Sequence, residues 1–211
     1  MKTEAVIFDY GNVFVKDEDP GLYKYVAEKI SKPVKDVEKV IIEEYKGLFI
    51  GKISENLFWK NVLNRLDYKG YFDCSNIYKE VYHSALVPNQ EILDVARKIR
   101  SKNIKTGILS NLITPLVHIC RSNNYFCDFD PIITSAEAGY KKPDKEIYLK
   151  IFGLLNLDDN QANKIIYVDD KEEYLVPTRK IGMRTVLFNL TEAKNPQEEL
   201  ENKLIGVGLK I

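Results

Sequence analysis

Two hydrophobic rhythms run through the chain. Short runs rich in β-branched residues recur at Ala5–Phe8 and at residues 105–109, 131–134, 164–168 and 184–188. Several lack polar alternation, as expected of strands covered on both faces. Between them, apolar residues return at helical spacing: Ile92, Leu93, Ala96 and Ile99, then Ile147, Ile151, Phe152 and Leu155. Strands alternating with helices predict right-handed βαβ units. The expected fold is α/β, a doubly wound parallel sheet.

Residues 16–86 break this alternation and read as four helices without a strand. Leu22, Val26 and Ile30 mark the first, and Val37, Val40, Ile41, Tyr45 and Leu48 the second. Leu57, Phe58, Val62 and Leu66 mark the third, with Ser54 as N-cap, and Ile77, Val81, Tyr82 and Ala85 the fourth. Gly51 and Gly70 fall at breaks. The expected organisation is a Rossmann-like core from residues 1–15 and 87–211, with residues 16–86 inserted as a small helical bundle beside the sheet. Residues 196–204 predict a short surface helix. No internal repeat or flexible linker interrupts the pattern.

Composition narrows the function classes. Hydrophobic residues make up 45% and charged residues 29% of 211, which reads as globular. Lys plus Arg equals Asp plus Glu at 31 each, so no global basic field attracts nucleic acid or an anionic membrane, and neither is expected as a partner. No apolar run is long enough to span a bilayer, and Asp9 cuts the N-terminal run too early for a signal peptide. Cys74, Cys120 and Cys127 are odd in number and contain no C-x-x-C, so they read as reduced thiols of a cytoplasmic protein. His118 and Cys120, lacking further ligands, read as ordinary helix residues rather than a metal pair. Scarce Gln and Met beside abundant Lys, Glu, Ile and Tyr suggest a heat-adapted source.

Ligands of open α/β sheets bind beyond the carboxyl ends of the strands. After strand one come Asp9, Tyr10, Gly11 and Asn12; after strand two, Ser110 and Asn111; after strand four, Asp169 and Asp170. Lys141, Lys142 and Pro143 follow strand three, where a loop enters a helix. Any one such position could be an ordinary solvated loop residue, but the four segments together form a pattern. Clustered carboxylates repel unless a cation intervenes, and these would make a hard oxygen site suited to Mg²⁺. A metal with a nearby lysine also suits a phosphoryl group, and an aspartate there can attack phosphorus.

Those residues carry a resemblance. Val6-Ile7-Phe8-Asp9-Tyr10-Gly11-Asn12-Val13 resembles the first motif of the haloacid dehalogenase (HAD) superfamily, and Leu109-Ser110-Asn111 the second. The third is resembled by Gly139-Tyr140-Lys141-Lys142-Pro143-Asp144 continuing to Glu146-Ile147-Tyr148, and the fourth by Tyr167-Val168-Asp169-Asp170. The match runs from Val6 to about Phe188, and the Gly-Asn-Val form of the first motif is most similar to the sugar-phosphatase-like branch. The helical insert resembles the four-helix, C1-type cap of that superfamily. The resemblance implies a Mg²⁺-dependent phosphatase acting on a small-molecule phosphate ester through an aspartyl-phosphate. Asp9 would be nucleophile and metal ligand, the Gly11 carbonyl and Asp170 further ligands, and Asp169 a direct or water-mediated one. Ser110 and Asn111 would hold phosphoryl oxygens. Lys142, rather than Lys141, would stabilise the phosphoryl group and Asp9. A cap that closes would exclude water, and Tyr23, Tyr25, Tyr45, Phe49, Phe58, Trp59, Tyr78 and Tyr82 could line its pocket or simply pack among the helices.

One position departs from the family. Its phosphatases usually carry a second aspartate two residues after the nucleophile, as acid and base; here that residue is Gly11. Roughly two to four orders of magnitude in rate are at stake. The substrate could have a good leaving group, such as the anomeric oxygen of a sugar 1-phosphate. The acidic run Asp17-Glu18-Asp19 could substitute. Or catalysis could be lost, leaving a binding or regulatory protein. A haloacid dehalogenase is a further alternative, which the paired Asp169-Asp170 disfavours, and a phosphonate hydrolase would need a distinctive cap lysine that Lys46, Lys52 and Lys60 do not supply.

Overall fold

A computed structural model describes residues 2–16 and 19–211. Five parallel strands form one sheet: β1 (Ala5–Phe8), β2 (Lys105–Ser110), β3 (Ile132–Thr134), β4 (Ile165–Asp169) and β5 (Arg184–Leu187), in the order β3-β2-β1-β4-β5. Strands β2 and β3 lie to one side of β1, and β4 and β5 to the other. The switch point, where ligands gather in such sheets, therefore falls at β1.

Alternation along the strands builds two cores. Val6 and Phe8 of β1, with Ile166 and Val168 of β4, face one side and join Ile92, Val95, Ala96 and Ile99 of α5 (Gln90–Arg100). Ala5 and Ile7, with Ile165 and Tyr167, face the other, where Ile147, Tyr148, Ile151 and Phe152 of α8 (Lys145–Leu155) and Leu175 of α9 (Glu172–Ile181) cover them. Both sheet faces are thus buried, which explains why the strands lack polar alternation. Close strand packing admits only glycine at Gly107: a Cβ there would lie 2.6 Å from the Pro131 carbonyl oxygen.

The insert holds α1 (Leu22–Ile30), α2 (Val34–Leu48), α3 (Glu55–Arg65) and α4 (Ile77–Tyr82), and its apolar faces join the first core. Ser54 caps α3, its hydroxyl oxygen accepting from the Leu57 N–H at 3.2 Å. Leu57 itself is 44% exposed, because the buried stripe runs through Phe58, Trp59 and Val62 instead. Gly51, between α2 and α3, adopts φ +66°, and a Cβ there would meet the Ala136 carbonyl oxygen at 2.3 Å. Ala136 belongs to α7 (Ser135–Ala138), directly after β3, so the tip of the insert rests on the sheet's own connections.

Several strand boundaries differ by one residue from the sequence expectation. Strands β2 and β4 continue through Ser110 and Asp169, which remain in the ladder opposite Thr134 and Leu187; their side chains are polar, but their backbones are still paired. Pro131, which has no N–H to donate, precedes β3 rather than opening it. The C-terminal helix α10 (Pro196–Gly206) is no mere surface helix: Leu200 and Leu204 are fully buried in the first core, which the pattern conceals because charged residues surround them.

Candidate active site

The carboxyl ends of β1, β2 and β4, adjacent at the centre of the sheet, bring the motif residues together. Asp9 follows β1 and is 6% exposed; Ser110 ends β2 at 3%, and Asp169 ends β4 fully buried. Lys142 reaches in from the segment before α8. Its Nζ lies 2.9 Å from Asp9 Oδ1 and 2.7 Å from Asp169 Oδ2, and the residue is 2% exposed. Lys141 is exposed and contributes to the wall of the adjoining cavity.

Each member is held by donors around it. Asp9 Oδ1 accepts from the Tyr10 N–H at 2.7 Å, and the Ser110 hydroxyl nearby favours the ionised form of the same carboxylate. Asp169 has both oxygens engaged: Oδ2 by Lys142 and the Tyr167 hydroxyl, Oδ1 by the Lys171 N–H at 2.9 Å. Asp170 is half-buried and accepts through Oδ2 from Asn12 Nδ2 at 3.0 Å. Asn12 is in the left-handed region at φ 51°; its carbonyl accepts from the Leu190 N–H and its Oδ1 from Thr191. It ties the β1 loop to the segments after β4 and β5. Asn111 makes a reciprocal pair with the backbone of residue 142: its Oδ1 accepts from the Lys142 N–H at 2.8 Å, and its Nδ2 donates to the Lys142 carbonyl at 3.1 Å. The Tyr174 ring lies 4.8 Å from the Lys142 ammonium.

Asp9, Asp169 and Asp170 each offer a carboxylate oxygen within 4.8 Å of the others. Burial raises the Asp9 pKa above its ordinary value; the lysine beside it pulls the other way without winning, and Asp169 adds to the rise. Burial likewise raises Asp170, against the hydrogen bond from Asn12. Burial alone would lower Lys142, but attraction to Asp9 and Asp169 outweighs it and raises this pKa. The buried Lys142 ammonium, with Lys171 acting on Asp170, faces three carboxylates, so the cluster keeps an excess of negative charge that a divalent cation would neutralise. The donors are hard oxygens, with Asp9 lining a cavity and Asp170 half-buried, and so the residues present fit Mg²⁺.

That cavity, about 440 Å³, lies over Asp9, Gly11, Ser110 and Asn111. The insert supplies Tyr23, Ile42, Tyr45, Phe49 and Tyr82 to its wall. Of the eight insert aromatics considered from sequence, Phe58, Trp59 and Tyr78 are instead buried among the helices, and the Tyr25 hydroxyl donates to Glu80 on the outside. His118 is exposed and Cys120 buried on opposite faces of α6 (Thr114–Ser122), which excludes a shared metal; all three cysteines are free. Asp17 and Glu18 lie outside the described residues, and Asp19 accepts from the N–H groups of Gly21 and Leu22 where α1 begins. Sequence reasoning missed Tyr167, Tyr174 and the linking role of Asn12. Asn12 and Tyr167 left a signal, by their places in the first and fourth motifs; Tyr174 left none.

Fold and site together define a doubly wound α/β protein with a carboxylate–lysine centre at its switch point. The profile of the haloacid dehalogenase-like hydrolases matches residues 3–174, and the chain belongs to that family. A sesquiterpene phosphatase of Aspergillus oryzae is 31% identical over 122 residues, which cover 57% of this chain and 59% of that protein. A phosphorylated carbohydrates phosphatase of Thermotoga maritima is 26% identical over 192 residues, 87% of this chain and 83% of that one. A HAD family enzyme from Bacteroides thetaiotaomicron, solved as a magnesium complex, superposes with a TM-score of 0.75 at 17% identity, covering 92% of this chain and 97% of that one; the likeness is one of fold. No helix among the described residues is long and apolar enough to cross a membrane.

Proposed function

We propose that the protein is a Mg²⁺-dependent phosphatase that hydrolyses a small phosphate ester through an aspartyl-phosphate on Asp9. The observation that carries this is Lys142 Nζ, buried between Asp9 and Asp169 at 2.9 and 2.7 Å. A lysine placed there neutralises charge on the nucleophile and on an incoming phosphoryl group together. Asp170 and Asp9, with the Gly11 carbonyl, would hold Mg²⁺. Asp169, whose oxygens are both engaged by protein donors, fits the water-mediated contact better than the direct one. The bound ion would supply Lewis-acid stabilisation of the phosphoryl oxygens.

In the first step a carboxylate oxygen of Asp9 bonds to phosphorus as the bond to the leaving oxygen breaks. The electron pair departs with that oxygen. Ser110 and the backbone at Asn111 hold the phosphoryl oxygens, while the Asn111 side chain fixes Lys142 through its backbone. In the second step water attacks the acyl-phosphate, releasing phosphate and restoring the Asp9 carboxylate. Residues 16–86 act as a cap on a core formed by residues 1–15 and 87–211, and they shelter the reaction from bulk water. Two relatives, a sesquiterpene phosphatase and a phosphorylated carbohydrates phosphatase, support the phosphatase reading.

The test is phosphate release from acetyl phosphate and p-nitrophenyl phosphate in Mg²⁺ and in EDTA, with Asp9→Asn alongside. Turnover should need Mg²⁺ and fall by more than roughly 10³-fold in the variant. Activity that survives in Asp9→Asn would remove Asp9 as nucleophile.

A further inference from the structure

The cavity above Asp9 is walled very differently on its two sides. The sheet side presents Asp9, Ser110, Asn111 and Lys142, with Lys141 and Lys171 nearby. The insert presents Tyr23, Ile42, Tyr45, Phe49 and Tyr82, and the core adds Leu112, Ile113 and Leu116 beside Asn111 and Tyr174 beside Lys171. Among the described residues lining the cavity, Asp9 is the only carboxylate, and the insert supplies no amide, carboxylate or cation. Among the described residues, tyrosine hydroxyls are the only polar side-chain groups the insert adds to the wall, and the Tyr45 hydroxyl already accepts a hydrogen bond from Tyr78. Ile42 is 52% exposed at this wall, whereas Val37, Val40, Ile41 and Leu48 of the same helix are buried.

We propose that the substrate is a phosphate ester of an apolar alcohol or phenol, a hydrocarbon chain or ring seated against Tyr23, Ile42, Phe49 and Tyr82, rather than of a polyhydroxylated sugar. The inference rests on the phosphatase reading above and deepens it. A hexose carries several hydroxyls, each of which loses water on entry and needs a partner in return. This wall offers too few partners. A hydrocarbon group leaves nothing unpaired and gains contact area against aromatic rings and isoleucine. At 440 Å³ the cavity is within the ordinary range for small-molecule sites. The cationic side chains lie on the sheet side, so charge recognition is confined to the phosphate end. The covalent step is the one described above. Only the group leaving with the oxygen's electron pair is specified, and it takes its proton from solvent or a neighbouring acid.

The test compares cyclohexylmethyl phosphate with glucose 6-phosphate. Both have a primary alkyl leaving oxygen on a six-membered ring, and they differ chiefly in ring hydroxyls, so intrinsic reactivity is closely matched. The intact protein with Mg²⁺ should favour cyclohexylmethyl phosphate in kcat/KM by roughly tenfold or more. Naphthyl phosphate and farnesyl phosphate then separate a ring from a chain, and a preference for either upholds the apolar class. Acetyl phosphate, which carries neither, reports the chemistry independently. If it is hydrolysed but glucose 6-phosphate matches or exceeds its apolar partner, or none of the apolar esters is turned over, the apolar class is wrong while the phosphatase reading stands. If acetyl phosphate and every ester are inert with Mg²⁺, the phosphatase reading itself falls, and this inference with it.

Discussion

The ends of β1, β2 and β4 and the helical wall opposite them are both partly shielded from water, yet they are held by different forces. At the strand ends every charged side chain has a directed partner: Lys142 to Asp9 and Asp169, Asp169 to Tyr167 and Lys171, Asp170 to Asn12. On the insert side the residues are fixed by packing, as in the Tyr45–Phe58 stack at 5.2 Å and the Tyr45–Phe49 contact at 5.4 Å. Directed hydrogen bonds fail when one partner changes, because a buried charge is left uncompensated. Packing tolerates substitution by residues of similar volume. The strand ends are therefore suited to fixing one reaction, and the helical wall to setting which leaving group reaches it.

The sharpest way to test that contrast is to remove the charge on which the strand ends converge. Lys142→Met keeps the length of the side chain and deletes the ammonium. Asp9 and Asp169 would then face each other without a counterion in a buried site. Activity with Mg²⁺ should fall about 10²-fold or more, and the metal-free protein should lose about 3 kcal/mol of unfolding free energy. A variant retaining near-normal turnover and unchanged stability would show that the buried ion pairs are incidental.

A second, smaller effect is linked to pH. Burial raises Asp9 and Asp170, so the folded chain keeps protons that the unfolded chain releases. Between the ordinary value of 3.8 and the raised folded values, metal-free stability must fall as pH rises. Lys142, whose pKa is also raised, acts in the same direction but in another window: its contribution is fully present below 10.5 and is lost as pH rises from there through the folded value, so it is constant through the acidic window. Unfolding in EDTA across pH 4 to 8 should show the decline, Asp9→Asn should weaken it, and Mg²⁺ should oppose it. Superimposable curves for both proteins in EDTA would mean that ionised Asp9 carries no energetic penalty.

The same contrast explains what could be read from the sequence. Asp9, Ser110, Lys142, Asp169 and Asp170 were legible because a parallel sheet delivers strand ends to one edge, and strands are readable from short apolar runs. The choice of Lys142 over Lys141 came from the resemblance, and the structure places its ammonium between two carboxylates. Tyr167 was illegible as a partner of Asp169. In sequence it is one more apolar strand residue, and only the buried geometry brings its hydroxyl to the carboxylate. The insert aromatics were harder still. Helical periodicity distinguishes inward from outward faces, but Tyr45 and Trp59 both count as inward. Which of them meets a cavity and which meets another helix depends on how the helices cross, and that is set by tertiary packing. Leu200 and Leu204 were lost for a related reason, since their neighbours make the segment read as polar.

The smallest predicted effect concerns the seam between the two regions. Gly51 needs a positive φ, and its α-carbon faces the Ala136 carbonyl so closely that a Cβ would sit 2.3 Å from the oxygen. Gly51→Ala must therefore accept backbone strain and also push the α2–α3 turn away from α7. The strain costs about 1–2 kcal/mol where the backbone cannot relax. No residue of the carboxylate cluster is touched, so the chemistry at Asp9 should survive. Displacing the turn should shift Phe49, two residues away on the cavity wall, and raise KM for an apolar ester more than it lowers kcat. Steady-state kinetics on naphthyl phosphate, with a thermal melt of the same preparation, would resolve the two effects. A lowered melting temperature with unchanged KM would show that the seam supports the fold without shaping the pocket.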